Sequence, residues 1–180
     1  MIALIRGQKT FLRAPELEDV RIISAWLNDR EANKFLQVVY PVSKRYADSF
    51  VMEADEDKSK KVFIIDNEDR KPIGIIAMSS IRWESRCCEI GIAIYDRNYR
   101  GKGYGRDALS TALRFAFEDM NLHLVYLQVD ESNEEARRLY SSLNFEYEGT
   151  LRDRYYREGR YRNVMMMSIV NPVERAGKGE

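Results

Sequence analysis

The chain is 180 residues long with 44% hydrophobic and 32% charged side chains, a length for one domain with a sizeable core and a composition that excludes disorder. Its 29 basic and 29 acidic residues cancel, so no global charge advertises nucleic acid or an anionic membrane surface as a partner. The two cysteines, Cys87 and Cys88, are adjacent, which suits neither a mutual disulfide nor a metal framework, and no run approaches the ~20 apolar residues of a membrane span; a cytoplasmic protein without a signal peptide is expected.

Lys9 to Arg13 reads as a first strand, ended by Ala14-Pro15. Glu18-Asp19 opens a helix through Asn28, with Val20, Ile23 and Leu27 at helical spacing. Residues 29–42 are irregular, and Pro41-Val42-Ser43 starts a second helix to about Ala54, followed by the charged stretch from Glu53 to Asp57. Strands over 61–66, 72–81 and 86–95, separated by polar turns, predict an antiparallel meander. Then comes Arg100-Gly101-Lys102-Gly103-Tyr104-Gly105, and after it a helix of about four turns, in which Ala108, Ala112 and Ala116 recur beside Leu109, Leu113 and Phe117. The apolar run from His123 to Asp130 predicts a buried strand parallel to the one before the loop, completing a βαβ unit.

Ser132 reads as a helix N-cap, with Glu135 completing a capping box, and Ala136, Leu139, Tyr140 and Leu143 share one face of that helix. Residues 145–156 and 161–170 form a hairpin about Arg157-Glu158-Gly159-Arg160, and the tail from Asn171 is expected to be loose. The expected architecture is one mixed α+β domain over residues 1–170, with 171–180 as a flexible tail.

The glycine loop is the chemical focus. Alternating glycines let the backbone approach a ligand, and a loop that opens a helix offers free N–H groups and the positive end of the helix dipole to an anion. It is not a P-loop, since no Gly-Lys pair is followed by Ser or Thr. Nor is it a dinucleotide fingerprint, since position 106 is Arg and the loop lies a hundred residues into the chain.

Arg100-x-x-Gly103-x-Gly105 at a strand–helix junction resembles the acetyl-CoA pyrophosphate loop of the GNAT N-acetyltransferases. Asn133-x-x-Ala136-x-x-Leu139-Tyr140 followed by Leu143-Asn144-Phe145 resembles that family's second cofactor segment. Glu146-x-Glu148-Gly149 with Arg152, and Tyr161-Arg162-Asn163 before the last strand, are similar to the branch containing ribosomal-protein N-terminal and spermidine acetyltransferases. The resemblance covers about residues 9 to 170. It departs at Asn144, where the family usually has Gly; Asn tolerates a left-handed backbone, so the helix end should be preserved.

The resemblance implies a mostly antiparallel central sheet, flanked by helices, in which the strand before the loop carries a bulge and splays from its parallel neighbour. Backbone groups of Ile92, Ala93 and Ile94 would pair with pantetheine and offer one N–H to the thioester carbonyl. The N–H groups of Arg100, Gly101, Lys102, Gly103, Tyr104 and Gly105 would hold the pyrophosphate, and Asn133 would contact the pantetheine arm. Tyr140 would protonate the leaving thiolate; an aromatic on an apolar helix face is otherwise a core residue. Glu89, or Glu84 upstream, is the candidate for taking the proton of the amine, which carries one at neutral pH because alkylamines have pKa values near ~10.4. No metal is expected.

For the acceptor, the resemblance implicates the first two helices and the last hairpin: Trp26, Asn28, Phe35 and Tyr40 on one side, Tyr155, Tyr156 and Tyr161 on the other, with Trp83 beside them. The acceptor could be a protein N-terminal amine, a polyamine or an amino sugar, and a homodimer is compatible with the pattern. Two other classes stand beside acetyl transfer by direct attack in a ternary complex. One is a non-catalytic acyl-CoA-binding regulator. The other is a nucleic-acid-binding module using the five arginines and interleaved tyrosines of residues 151–163, to which the neutral charge of the chain gives little support.

Overall fold

The computed structural model describes residues 4–36 and 41–176. Eight strands make one sheet: β1 (Ile5–Arg6), β2 (Phe11–Arg13), β3 (Lys61–Asp66), β4 (Pro72–Arg82), β5 (Cys87–Ile94), β6 (Leu124–Asp130), β7 (Glu146–Arg157) and β8 (Arg160–Val170). Their order is β1-β2-β3-β4-β5-β6-β8-β7, antiparallel throughout except for the β5–β6 pair. The meander β3-β4-β5 and the parallel β5–β6 crossover match the expectation from the sequence. β1, only two residues long, gave no readable pattern.

Alternation in the strands sets up three layers. Val62 and Ile64 of β3 and Ile75 of β4 face one way, packing with Ile23 and Trp26 of α1 (Val20–Leu27) and Ala47 and Val51 of α2 (Lys44–Glu56). Ile65, Ile76 and Met78 face the other way, against Ala108, Leu109 and Ala112 of α3 (Tyr104–Arg114) and Tyr140 of α4 (Glu134–Ser142). Each buried Val, Ile, Leu or Met among them stabilises the fold by ~1.5–3 kcal/mol relative to exposure. Ser43 caps α2, its hydroxyl accepting from Tyr46 N. The helix after the glycine loop is shorter than expected: α3 ends at Arg114 and continues as a π-type turn, Phe115–Asp119, which sets Phe115 edge-on to Phe63.

Three polar anchors hold the layers in register. Asp107 in the first turn of α3 accepts hydrogen bonds from the backbone N–H groups of Gln8, Lys9 and Thr10 and from the Thr10 hydroxyl, tying the β1–β2 turn to the helix start. Arg13 pairs with Asp19 at 2.6 Å and Asp66 at 2.8 Å in a largely buried cluster. At the C-terminal end, the stretch expected to be loose contains a short helix, α5 (Pro172–Ala176), whose Glu174 pairs with Arg86 and His123. Among the described residues, no helix is long and apolar enough to cross a membrane.

Candidate active site

The site begins where β5 and β6 part. Their parallel pairing runs only over Cys87↔Leu124, Cys88↔Val125 and Glu89↔Tyr126. Beyond it β5 stays paired with β4 as far as Ile94, and β6 stays paired with β8 as far as Asp130. The edge of β5 facing β6 therefore carries backbone donors and acceptors without a strand partner over its last residues, and a half-exposed free edge of that kind is a template for an extended ligand. The splay is as the resemblance implied. The bulge is not: β5 pairs regularly with β4 from Glu89 to Ile94, and the register shifts instead between Ser79 and Arg82, at the far end of the hairpin.

Into the V opens a cleft of about 540 Å³ lined by Ile92, Ala93 and Ile94 on one side and Asn133, Ala136, Leu139 and Tyr140 of the α4 segment on the other. Arg100, Gly101, Gly103 and Gly105 close one end. Gly101 has φ +67° and Gly103 φ +86°, and a Cβ at Gly101 would meet nothing within 4 Å. Gly103 is the N-cap of α3 and offers no side-chain cap, so the first amides of the helix are left for an external acceptor. A bare helix start, two left-handed glycines and an unpaired strand edge in one cleft fit a long ligand with a phosphorylated end.

The structure brings most of the expected cofactor residues together and spreads others. The Arg100 guanidinium donates from Nε to Ile94 O at 2.7 Å, bracing the loop against the end of β5. Lys102 is exposed, and its carbonyl accepts from Lys9 Nζ at 3.2 Å. The Tyr104 hydroxyl donates to the Glu68 carboxylate, and its ring packs edge-on to Tyr99. Neither Lys102 nor Tyr104 has its side chain in the cleft lining, so a contribution from them runs through the backbone. Asn133, not Ser132, caps α4: its Oδ1 accepts from Ala136 N at 3.2 Å. Ser132 instead donates from its N–H and hydroxyl to Asp130 Oδ1. The cap occupies Asn133 Oδ1 and leaves its amide N–H groups for a ligand. Asn144 holds the helix end with φ +65°, the left-handed conformation expected of it.

Tyr140 is 7% exposed, packs against Phe145, and makes no side-chain hydrogen bond to the described residues. Burial pushes its phenol up to about 12, so it keeps its proton across the physiological range. Glu89 sits at the last β5–β6 pair and accepts from Gln128 Nε2 at 3.1 Å. It is partly buried, three residues before cleft-lining Ile92, and its own side chain does not line the cleft. Glu84 lies in the exposed β4–β5 turn.

A second cavity of about 1060 Å³ adjoins the first and shares Glu31, Lys34, Phe35 and Ser132 with it. Its walls are the 28–36 segment and the β7–β8 hairpin, including Asn28, Phe35 and Tyr156. Tyr155 reaches it through Asp130, to which its hydroxyl donates; burial first, then this hydrogen bond, pushes the Tyr155 phenol up to about 12. Trp26 is in the core, stacked on Tyr95 at 5.1 Å, and supports the wall from behind rather than forming it. Trp83 stands in the β4–β5 turn, its Nε1 donating to Lys58 O, away from both cavities. Tyr40 lies outside the described residues. Among the described residues no group of three His, Cys, Asp or Glu is placed to hold a metal ion.

Sequence reasoning missed several residues. Glu31 and Lys34 lie in a segment without periodicity, and Asp130, Arg157 and Arg162 face a cavity that exists only once the hairpin meets the 28–36 segment. Gly74 did leave a signal, a glycine inside a strand: a Cβ there would meet Ala93 O at 2.4 Å.

Comparison with known proteins agrees with this geometry. Residues 9–146 match the family model of the acetyltransferase (GNAT) domain. A spermidine N(1)-acetyltransferase of Vibrio cholerae serotype O1 is 29% identical over 159 residues, covering 88% of this chain and 91% of that protein. The enzyme of the same name from Escherichia coli K12 is 30% identical over 159 residues, 88% of this chain and 84% of that one. A crystal structure of the Vibrio cholerae enzyme with CoA and spermine superposes with a TM-score of 0.84 at 29% identity, covering 90% of this chain and 95% of the other. The chain belongs to the GNAT acetyltransferase family, and it transfers an acetyl group from acetyl-CoA to an amine.

Proposed function

We propose that the chain, as one acetyltransferase domain, acetylates a primary amine by direct attack in a ternary complex, with acetyl-CoA in the first cleft and the acceptor in the second cavity. The observation that carries this is the splay: β5 leaves a free backbone edge beside a cleft bordered by the uncapped start of α3 and by Tyr140. When bound there, acetyl-CoA supplies a thioester, an acyl group on a good leaving thiolate. The N–H groups of the α3 start would hold the phosphates, Asn133 Nδ2 the pantetheine amide, and an edge N–H of Ile92 to Ile94 the carbonyl oxygen as charge develops on it. Removing such a backbone donor typically costs ~2.7–4 kcal/mol in enzymes.

The remaining work is proton transfer. Glu89 takes the amine proton through water, and the Tyr140 hydroxyl returns one to the departing sulfur, so the C–N bond forms as the C–S bond breaks and the charges balance. The buried Cys88 thiol, pushed up to about 12 by desolvation, is a poor nucleophile, in keeping with direct transfer rather than an acyl-enzyme. The solved and curated relatives that act on spermidine put polyamines among the acceptors to test. One solved relative from Vibrio cholerae is a dodecamer, so self-association is expected and is checked by light scattering. We place the protein in the cytoplasm, where acetyl-CoA and free thiols coexist.

The test is release of free CoA thiol over a panel of polyamines, amino sugars, amino acids and N-terminal peptides, paired with thermal unfolding. Acetyl-CoA at 100 times its dissociation constant should stabilise the protein by about 2.7 kcal/mol. No stabilisation by acetyl-CoA and no thiol release with any amine would sink this reading.

A further inference from the structure

We propose that the acceptor is a primary amine that also carries an anionic group, a carboxylate or a phosphate, received by Arg157 and Arg162 of the β7–β8 hairpin. The proposal rests on reading the first cleft as the acetyl-CoA site and the second cavity as the acceptor site. It comes from the balance of charges on the cavity wall and from which of those charges are already met.

Four cations line the second cavity, Arg30, Lys34, Arg157 and Arg162, against three carboxylates, Glu31, Asp130 and Glu158. All three carboxylates are engaged. Glu31 accepts from Lys34 at 3.2 Å, and Glu158 accepts from Arg162 at 3.3 Å. Asp130 accepts from the N–H and hydroxyl of Ser132 and from the Tyr155 hydroxyl. Desolvation pushes its carboxyl up, but these bonds outweigh it and hold it below the usual range, so it stays an anion with its lone pairs in use.

The arginines are not met in the same way. Arg157 spends Nη1 on two neutral carbonyls, Asn33 O and Leu36 O, and pairs with no carboxylate among the described residues. Arg162 has a side chain only 16% exposed and uses two of its five donors, at 3.3 Å to Glu158 and 3.4 Å to Ser132 Oγ, both at the long end of hydrogen-bond distances. Its Nε is buried without an acceptor. A largely buried guanidinium with spare donors is costly unless a ligand completes it, and carboxylate or phosphate matches its planar fork best. A polyamine meets the reverse situation, an excess of positive charge and carboxylates that each already face a cation or hydroxyl. The amine end of the acceptor has to reach the junction of the two cavities at Ser132, so the ligand bears its charges at two ends.

The experiment measures kcat/KM at saturating acetyl-CoA for matched pairs that differ only in the anion: L-leucine against leucinamide, and glucosamine 6-phosphate against glucosamine, with spermidine alongside. The expected result is a preference of tenfold or more for the anion-bearing member of at least one pair, over its partner and over spermidine; which pair responds distinguishes carboxylate from phosphate. Arg162→Gln and Arg157→Gln should each abolish that preference by raising the KM for the acceptor tenfold or more. The KM for acetyl-CoA should stay within twofold, and Arg162→Lys should restore part of the effect. Retained stabilisation by acetyl-CoA shows that a variant is folded. Spermidine outperforming every anion-bearing amine, no release with any anion-bearing amine, or a preference that survives both Gln variants overturns the proposal. Loss of acetyl-CoA binding by the unaltered protein would instead strike the reading on which it rests.

Discussion

The Thr10 hydroxyl donates to Asp107 at 2.7 Å across 97 residues of chain, and the same carboxylate collects the N–H groups of Gln8, Lys9 and Thr10. One side chain thus fixes the β1–β2 turn to the helix whose first amides face the cleft. Desolvation pushes the Asp107 carboxyl up, but the hydrogen bonds from the turn outweigh it and its pKa falls below the ordinary value. A group depressed on folding contributes stability that is full above its unfolded pKa, near ~3.9, and is lost as pH falls through the folded one. Thermal unfolding from pH 7 to 2.5 should therefore show a decline setting in at about pH 4–5. Asp107→Ala should cost about 1–3 kcal/mol at pH 7, weaken acetyl-CoA binding, and blunt the acid-dependent decline. A variant with wild-type melting temperature at pH 7 would deny Asp107 this role.

Tyr140→Phe preserves the packing against Phe145 and removes only the hydroxyl. Turnover should drop roughly 10²–10⁴-fold with acetyl-CoA affinity unchanged by calorimetry. Because burial raises this phenol to about 12, it stays protonated up to alkaline pH, so kcat should not fall between pH 7 and 10 on its account. Glu89→Gln should lower turnover at least tenfold with acetyl-CoA affinity retained; unchanged turnover would take Glu89 out of the proton path.

Two glycines separate strain from clash. Gly103 has φ +86°, and a Cβ there would have only Lys9 Nζ nearby, at 3.9 Å, so Gly103→Ala meets backbone strain of ~1–2 kcal/mol and little else. The protein should remain folded while acetyl-CoA affinity falls, because the methyl group enters the glycine end of the cleft. At Gly74 the added Cβ would lie 2.4 Å from Ala93 O, so Gly74→Ala must push β5 away from β4. Overpacking of that kind costs ~1–3 kcal/mol and should displace the strand edge as well. Urea unfolding and calorimetry on the two variants distinguish these outcomes.

Asn33 is the knot of the second cavity's wall. Its buried amide donates to the carbonyls of Trp26, Leu27 and Asp29, its Oδ1 accepts from the Tyr95 hydroxyl, and its own carbonyl accepts from Arg157. Asn33→Ala leaves several of these groups unpaired and should destabilise the protein by about 1–3 kcal/mol. The kinetic signature should be a raised KM for the acceptor with that for acetyl-CoA nearly unchanged. Equal effects on both constants would mean that the 28–36 segment does not act on the acceptor alone.

Buried charge gives a further prediction. Arg13→Met would strand Asp19 and Asp66, which now flank the guanidinium at 2.6 and 2.8 Å. Breaking such a pair from one side typically costs 3–5 kcal/mol, so urea titration should show a large drop in midpoint, partly relieved by replacing Asp66 with Asn in the same chain.

The sequence by itself determined the strand meander and the βαβ crossover and singled out residues that line the first cleft, because those features are local. Strand alternation, the glycine pattern of residues 100–105 and the spacing from Asn133 to Tyr140 each act within one or two elements. Where local signals competed, the structure chose. Asn133 rather than Ser132 caps α4 because the Ser132 hydroxyl is drawn to Asp130, and the long helix breaks at Phe115 to meet Phe63. The wall of the second cavity was not legible, since it joins a segment without periodicity to a hairpin more than a hundred residues away. Only tertiary structure could take Trp26 into the core, leave Trp83 at the far turn, and gather Arg157 and Arg162 around the second cavity. The glycine end of the first cleft is written in backbone conformation, which glycine encodes directly. The second cavity is written in the charges of side chains that meet only when the chain is folded.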